Sequence, residues 1–377
     1  MPSPADPFSR HDPRSPPPAS LPVDRQIAIL HSGGHLAAAD VETLVTGVLA
    51  GEVDLDTFSK WLVALAEAGE TTAEIAGVAA ALRARMVRVP HALPVVVDTC
   101  GTGGDGSGSF NISTAAAIVV AGAGLPVAKH GNRAVSSRTG SADVLERLGV
   151  RIDGPPSLVA ACLADVGLAF CLAPTHHPAM ARVGPLRRSL GRPTVFNLVG
   201  PLCNPAGATV QVIGVGRAAV RHAVAEAAML GGSRRVLVVS SPLEIPGTGG
   251  SATLDEVSLF GVTEVIDVGP GGTQHHTWTA EDFGLPTRPI PELAQLEVNG
   301  PDESAAAIRA VLAGEPGPRR DVVVLNAAAT LWAAGLTTSL PAARALAERA
   351  IDDGSAAAKL AALAAHSHSP VAPSVDA

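Results

Sequence analysis

Five glycines fall within the eight residues from Gly101 to Gly108, and this density limits what the chain can fold into more than any other feature. The apolar, β-branched segment 94–99 comes directly before them and predicts a buried parallel strand. A helix is predicted from about Ser113 to Gly122, and a second strand over 125–129. The sequence therefore predicts a βαβ unit whose loop brings backbone N–H groups and a helix N-terminus close to a ligand.

Phosphate is the ligand that such a loop suits best, because clustered backbone N–H groups bind anions. Asn111, Ser113 and Thr114 add polar side chains at the start of the helix. The alternative is a tight turn capped by asparagine or serine without a ligand, which does not require so many glycines. We therefore interpret the segment 98–114 as an anion-binding site.

A dinucleotide site is another alternative for the same loop. Gly101, Gly103 and Gly106 satisfy its glycine spacing, but that fold places an acidic residue about 20 residues on, at the end of the next strand, to hold a ribose hydroxyl. Here the next predicted strand ends in Lys129 and His130, and a cation at that place favours further phosphate instead. The Gly-Lys-Ser or Gly-Lys-Thr sequence of a Walker A motif is absent as well.

A basic loop follows the second predicted strand. Lys129, Arg133 and Arg138 lie within the segment 129–143 together with several hydroxyl side chains. Ligands of open α/β sheets collect at the carboxyl ends of the strands, and this loop flanks the same predicted sheet edge as the glycine-rich segment. We therefore favour an anion-binding loop over the alternative, a solvated basic surface.

Two smaller features carry possible chemistry. The adjacent carboxylates Asp255 and Glu256 are either a solvated pair or, next to phosphates, ligands for Mg²⁺, and their spacing leaves both interpretations open. Arg187 offers a planar fork that suits a carboxylate, although a surface ion pair is the commoner role for such a residue. The histidine pairs 176–177 and 275–276 lack metal-ligand spacing, so we interpret both as structural.

Composition excludes several classes of partner. The net charge is −8, from 27 basic and 35 acidic residues, which disfavours nucleic acid and anionic membranes. No apolar run approaches the roughly 18 residues that a membrane helix needs, and no signal peptide is recognisable. The cysteines are widely spaced and without a CxxC pair, which indicates free thiols and a cytoplasmic location: Cys100, Cys162, Cys171 and Cys203.

Helical spacing opens the chain after a proline-rich leader. Thr71 and Glu74 have the spacing of a capping box. Alternating helical and strand-like segments follow, including a predicted strand at 321–325, so the fold class is α/β with a mainly parallel sheet plus a small helical domain. The predicted divisions are a disordered leader (1–22), a helical domain (23–92), an α/β domain (93–365) and a flexible tail (366–377).

Five motifs, taken in order, resemble the anthranilate phosphoribosyltransferase family. They are Gly-Thr-Gly-Gly-Asp, Asn-Ile-Ser-Thr, Lys-His-Gly-Asn-Arg, Phe-Asn-Leu-Val-Gly-Pro-Leu-Cys-Asn-Pro and Asp-Glu, and the resemblance runs from about residue 25 to Gly354. It implies a helical domain that also takes helices from 151–200, hinged to an α/β domain, and a homodimer. The implied reaction belongs to tryptophan biosynthesis: phosphoribosyl moves from 5-phosphoribosyl 1-diphosphate (PRPP) to the amine of anthranilate, releasing pyrophosphate.

The resemblance also implies roles for individual residues. Catalysis would involve Lys129, Arg187, Asp255 and Glu256, while Gly101, Asn132 and Arg187 would contact anthranilate. Ser113, Asp255 and Glu256 would bind Mg²⁺, two ions per subunit. PRPP would lie against Gly101, Gly104, Asp105, Ser109, Asn111, Ile112, Ser113, Thr114, Lys129, His130, Gly131, Asn132, Arg133, Ala134, Val135, Ser136, Ser137 and Ser141.

The chain departs from the family pattern before the acidic pair. A longer stretch, Leu243 to Thr253, replaces the usual His-Gly and the short link to Asp-Glu. Two other functions therefore stay open. A pyrimidine nucleoside phosphorylase would share the fold and the basic loop without needing the acidic pair, and a non-catalytic relative would bind nucleic acid or act as a regulatory partner.

Overall fold

A computed structural model describes residues 21–134, 137–245 and 250–370. The strands are β1 (Val97–Gly101), β2 (Val127–Gly131), β3 (Leu168–Leu172), β4 (Val210–Gly214), β5 (Arg235–Ile245), β6 (Gly250–Leu254), β7 (Thr263–Gly269) and β8 (Gly272–Trp278). The helices are α1 (Val23–His31), α2 (Ala38–Ala50), α3 (Leu55–Ala68), α4 (Thr72–Ala84), α5 (Ile112–Gly122), α6 (Ser141–Arg147), α7 (Pro156–Ala161), α8 (Ala173–His176), α9 (Gly184–Leu190), α10 (Phe196–Val199), α11 (Arg221–Leu230), α12 (Pro301–Leu312), α13 (Pro318–Ala333), α14 (Leu340–Asp352) and α15 (Ser355–His366).

One sheet organises the larger part of the molecule. Its order is β3-β2-β1-β4-β5-β7-β8, with β6 paired to β5. The five strands from β3 to β5 are parallel, whereas β7 and β8 continue the sheet antiparallel. The predicted α/β class with a mainly parallel sheet is therefore confirmed, and β1, α5 and β2 form the predicted βαβ unit.

The helical domain packs on one face of this sheet. Helices α1 to α4 share an apolar core with Val236 and Val238 of β5 and with the segment 195–203. The predicted capping box is present, since the Thr71 side chain accepts from the backbone N–H of Glu74 and the Glu74 carboxylate accepts from that of Thr71. From the middle of the chain, α9 and α10 join this core, while α7 packs in the other core on the opposite side of the sheet.

The predicted strand at 321–325 is wrong, because these residues lie inside α13. The run of valines is β-branched, which is typical of a strand. Here it belongs to a helix in which every residue from Val322 to Leu331 is buried, so no polar face reveals the helical period. Helix α13 packs against α5 and α14 beneath the sheet.

The stretch before the acidic pair is a β-hairpin. Strand β5 runs past the sheet and pairs antiparallel with β6, from Ser241 with Leu254 to Ile245 with Gly250. The predicted leader lies outside the described residues up to residue 20, and the predicted tail does so from residue 371. Ser367 is buried and its hydroxyl accepts from the backbone N–H of Arg151, so the chain is still packed where the tail was predicted to begin. Within the described ranges, no helix is both long and apolar enough to cross a membrane.

Candidate active site

The glycine-rich loop leaves β1 at the carboxyl edge of the sheet. Gly103, Gly104, Gly106 and Gly108 all have φ between 65° and 80°, a left-handed conformation that other residues rarely adopt. These four left-handed positions explain why the loop is rich in glycine, because a side chain at any of them would strain the backbone. The loop ends at α5, whose N-terminus points to the same edge.

The second half of this loop is tied to a distant segment. Ser109 forms a β-bridge with Glu297, and the backbone N–H of Phe110 donates to the carbonyl of Leu296 (2.9 Å). The Asn111 side chain bonds to Thr139 and to Ser304 rather than capping α5. The loop is therefore held between the basic loop and the start of α12 before any ligand binds.

Of the residues predicted at the start of α5, Ile112 and Thr114 face the core. Ile112 is 3% exposed and Thr114 1%. Their side chains lie inside the fold, so the helix start offers the Ser113 hydroxyl and backbone groups to a ligand. Ser113 is the residue of this run that lies next to the acidic pair, because its backbone N–H faces the Glu256 carboxylate.

Lys129 lies beneath the site. Its side chain is buried, and the ammonium donates to the carbonyl of Thr99 (2.5 Å) and to the Ser113 hydroxyl (3.2 Å). Asp98 and Glu256 are close enough for the Lys129 charge to lower their pKa values, although burial is the larger effect and raises both. Lys129 thus fixes Ser113 and partly neutralises the buried carboxylates.

The basic loop folds back on α6. A Cβ built on Gly131 would overlap the Ser141 hydroxyl, so glycine is required for these two positions to meet. The Arg133 guanidinium makes two bonds to Glu146 (2.6 and 2.7 Å) and one to Asp143 (3.1 Å). Arg133, which the resemblance places at PRPP, is therefore engaged by two carboxylates of α6.

Other members of the basic loop bond locally. The backbone N–H of Ala134 donates to Asp143 (2.9 Å), and Asn132 accepts from the Ser141 hydroxyl through its carbonyl. The Ser137 hydroxyl donates to the carbonyl of Thr139. Two predicted positions, Val135 and Ser136, lie outside the described residues.

Three carboxylates meet opposite Lys129. A Cβ on Gly101 would overlap the Asp255 carboxylate, and the backbone N–H of Gly103 donates to that carboxylate (3.1 Å). Burial and then the neighbouring Asp105 raise the pKa of Asp255 to about 7, while burial and then Asp255 raise the pKa of Glu256. The acidic pair predicted from sequence is therefore part of an acidic cluster consisting of Asp105, Asp255 and Glu256. Sequence reasoning placed Asp105 at PRPP but not beside Asp255.

Gly214 lies directly against the backbone of Asp255, and replacing it should severely reduce turnover. A Cβ at this last residue of β4 would overlap the carbonyl of Asp255, so Gly214→Ala must push the acidic segment away from Gly101. We expect turnover to fall at least about 100-fold, since a small misplacement of reacting groups has this effect. Steady-state assays check this, with Gly216→Ala as the control because a Cβ there makes ordinary contacts. Equal activity of both variants would contradict it.

His130 faces the helical domain from the end of β2. Its Nδ1 lies 3.0 Å from the carbonyl of Gly200, so Nδ1 carries the proton and Nε2 is an acceptor. This Nε2 is buried and has no partner among the described residues. Burial, followed by repulsion from His177, lowers the pKa of His130 to about 3, so the ring is neutral at pH 7.

The histidines 176 and 177 are structural, as predicted. His176 bonds to the carbonyl of Val87 (2.8 Å) and His177 to that of Cys203 (3.0 Å). The His177 ring lies 5.1 Å from that of His130, centroid to centroid. These bonds fix the His177 ring beside that of His130.

His177 should make the fold sensitive to acid. Burial lowers its pKa to about 4, so between pH 6.5 and 4 the unfolded chain binds a proton that the folded chain does not. Stability is therefore lost as the pH falls through this window, by at most about 1.4 kcal/mol per pH unit for this group. Urea unfolding of wild type and His177→Gln at pH 7 and pH 5 measures it. A pH dependence as steep in the variant would contradict the assignment.

Arg187 on α9 has no carboxylate partner among the described residues. Its guanidinium lies over the Phe196 ring, 5.4 Å from the centroid, and burial lowers its pKa. Phe196 begins α10, which runs into Gly200, the residue whose carbonyl meets His130. A half-buried cation without a counter-charge is suited to bind an anionic group.

The structure thus brings most predicted residues to one edge of the sheet. The glycine loop, Ser113, Lys129 and the acidic cluster form one group, while the His130 ring contacts Gly200 and the Arg187 guanidinium contacts Phe196. Arg133, Ile112 and Thr114 point elsewhere. Sequence reasoning missed the buried network in which Asn204 donates to Asp98 (2.8 Å) and the backbone N–H of His130 donates to the same carboxylate. The motif containing Asn204 was the available signal.

Comparisons with known proteins cover nearly the whole chain. Models of the glycosyl transferase family match residues 27–86 (helical bundle domain) and 93–357 (a/b domain). Anthranilate phosphoribosyltransferase of Moorella thermoacetica is 48% identical over 342 residues, which are 90% of this chain and 97% of the relative.

Solved structures agree in fold. The anthranilate phosphoribosyltransferase of Thermus thermophilus matches with a TM-score of 0.81 and 39% identity, over 91% of this chain and 99% of that one. The Saccharomyces cerevisiae enzyme, solved with PRPP and Mg, matches with a TM-score of 0.79 and 29% identity, over 92% and 97%. The yeast enzyme was also solved with 4-fluoroanthranilate. By sequence and fold, this chain belongs to the anthranilate phosphoribosyltransferase family.

Proposed function

We propose that this protein transfers the phosphoribosyl group of PRPP to the amine of anthranilate, giving N-(5-phosphoribosyl)anthranilate and pyrophosphate. The observation that carries the proposal is the convergence of the glycine loop, the Ser113–Lys129 contact and the acidic cluster at one sheet edge. An anion-binding loop beside clustered carboxylates suits a substrate that carries both phosphate and a divalent cation.

Departure of pyrophosphate is the demanding part of this reaction. As the bond to the anomeric carbon breaks, the sugar becomes cation-like and negative charge grows on the leaving group. Backbone N–H groups of the glycine loop and the start of α5 are already fixed in the folded chain, so they stabilise that charge without first reorganising. Lys129 acts through Ser113 and Glu256 rather than by direct contact, given its buried position.

Mg²⁺ fits the acidic cluster. After burial, Asp105 raises the pKa of Asp255 and Asp255 raises that of Glu256, while Lys129 lowers the pKa of Glu256. A divalent cation would relieve this surplus of negative charge. Within the described part of the chain, no three acidic, histidine or cysteine groups are arranged to enclose a metal alone. That suits Mg²⁺, which takes one or two carboxylates and completes its shell with phosphate oxygens and water. Asp255, Glu256 and the Ser113 hydroxyl would hold it, and it would neutralise the diphosphate.

The acceptor side follows from Arg187. Arg187, which lies over the Phe196 ring, would bind the carboxylate of anthranilate, and Gly101 and Asn132 would also contact anthranilate. The aryl amine is neutral at pH 7 and has its lone pair available without a strong base. Attack makes an acidic aryl ammonium, which loses its proton without a strong base.

Three finer features complete the proposal. Two Mg²⁺ ions would bind per subunit, since three carboxylates and a diphosphate offer more charge than one ion balances. Two chains would associate through the helical domain, as the family resemblance implies, and sedimentation measures this. All four cysteines are free thiols, which supports a cytoplasmic location.

Mixing protein, Mg²⁺, PRPP and anthranilate tests the proposed reaction directly. Anthranilate fluorescence should fall as product forms, and omission of Mg²⁺ or PRPP should stop the change. Release of free base from thymidine and phosphate without Mg²⁺ would instead identify a pyrimidine nucleoside phosphorylase. The absence of either reaction, together with salt-sensitive DNA binding, would favour the non-catalytic relative.

A further inference from the structure

The segment that follows the acidic pair has no regular secondary structure, yet its backbone is fully bonded. From the carbonyl of Glu256 to the N–H of Ser258 there are four successive backbone polar groups, and each is paired with a side chain. Side chains from three separate elements supply these bonds. These bonds pair buried backbone groups that have no partner in a helix or strand.

Asn326 of α13 makes two of the four bonds. Its Oδ1 accepts from the backbone N–H of Val257 (2.9 Å), and its Nδ2 donates to the carbonyl of Val257 (3.0 Å) and to that of Val322 (2.9 Å). The side chain is 4% exposed. A short side chain with a donor and an acceptor side by side is required, and among the amino acids asparagine meets this requirement at this reach.

A chain of hydroxyls supplies the other two bonds. The Ser241 hydroxyl donates to the carbonyl of Glu256 (2.8 Å), so its single proton is used. Its contact with the Thr263 hydroxyl (2.8 Å) must then run from Thr263 to Ser241. Thr263 in turn accepts from the backbone N–H of Ser258 (3.0 Å), which closes a ring of bonds around the segment.

We propose that Asn326, assisted by Ser241, is a positioning residue for the divalent cation: it clamps Val257 so that the Asp255 and Glu256 carboxylates stay together against their mutual repulsion. The inference rests on the proposed function, in which these carboxylates hold Mg²⁺. Partners behind metal-binding carboxylates typically alter metal affinity 10- to 100-fold when they are removed.

Mn²⁺ binding to the full-length protein in the presence of PRPP, whose phosphate oxygens complete the shell of the ion, tests the clamp when it is followed by electron paramagnetic resonance with Mn²⁺ and PRPP alone as the blank. Asn326→Leu keeps the size of the side chain and removes its polar atoms, and we expect the Mn²⁺ dissociation constant to rise about 10-fold or more. The KM for anthranilate should change less than about two-fold, because Arg187 lies on another element. Thr330→Val is the matched control, since Thr330 lies one turn from Asn326 on α13 and, among the described residues, its hydroxyl bonds the carbonyl of Asn326 alone.

Ser241→Ala keeps the proposal testable if Asn326→Leu does not fold. It removes one bond to Glu256 and should raise the Mn²⁺ dissociation constant a few-fold. Wild-type Mn²⁺ affinity in a folded Asn326→Leu protein, or in Ser241→Ala where the former does not fold, overturns the clamp and leaves the proposed function standing. An equal loss in Thr330→Val also overturns it. Failure of the wild type to bind Mn²⁺ overturns the metal assignment in the proposed function and the clamp with it.

Discussion

The double variant Asp255→Ala, Glu256→Ala is expected to lose at least about 1,000-fold in turnover while it stays folded. Electrostatic groups aimed at developing charge contribute on the order of 10²–10³ each in enzymes, and this variant removes two carboxylates that would hold the divalent cation. The fold should survive, because burial raises the pKa of both carboxyls and their charges therefore oppose folding. Steady-state rates at several Mg²⁺ concentrations, with circular dichroism, measure both effects.

A surface carboxylate provides the control for this variant. Asp302 is 79% exposed and pairs with Arg147, so Asp302→Ala should retain wild-type turnover. Unchanged Mg²⁺-dependent activity in the double variant would refute the metal assignment. If the double variant unfolds, the Asp255 and Glu256 carboxylates stabilise the fold instead.

Arg187→Ala should raise the apparent KM for anthranilate about 10- to 100-fold. A bond between a guanidinium and a carboxylate contributes about 1.5–3 kcal/mol, and the half-buried position of Arg187 limits competition from water. The KM for PRPP should change little, because the glycine loop and the acidic cluster lie on other elements. Initial rates with each substrate varied in turn give the two constants.

The neighbouring Arg188 is the matched control, since it lies on the same helix and is exposed. Arg188→Ala should leave both constants near their wild-type values, and Arg187→Lys should recover part of the loss by keeping the charge without the fork. A larger effect on PRPP than on anthranilate would move Arg187 out of the acceptor site.

The sequence predicted those parts of the fold that depend on residues close together in the chain. The glycine-rich loop has a left-handed backbone at four positions, and glycine, the residue that adopts this conformation most readily, occupies each of them in the sequence. The Thr71–Glu74 capping box depends only on a spacing of three residues. The valines 322–324 led to the wrong prediction of a strand, because a helix that is buried on all sides has no polar face and therefore shows no 3.6-residue hydrophobic period. Strand β8 was not predicted, since its exposed residues, such as His275, are polar.

The site was predictable as a set of residues but not in its arrangement. The motifs identified Lys129 and Arg133 as site residues. The burial of Lys129 against Thr99 and the ion pair of Arg133 with Glu146 depend on partners that are remote in sequence. Asn326 lies within the stretch that the resemblance covers, but none of the five motifs contains it. Its role depends on a contact with Val257, 69 residues away, that only the folded chain shows.

The β5–β6 hairpin explains how this chain tolerates extra length before its acidic pair. Pairing of Ser241 with Leu254 closes the hairpin at its base, directly before Asp255. Residues added or removed beyond that closing pair change the reach of the hairpin without transmitting a shift to the carboxylates. Because this pair fixes the end of the hairpin next to Asp255, the residues beyond it are free to diverge in evolution, or to accept a grafted peptide, while the position of the Asp255 and Glu256 carboxylates is preserved.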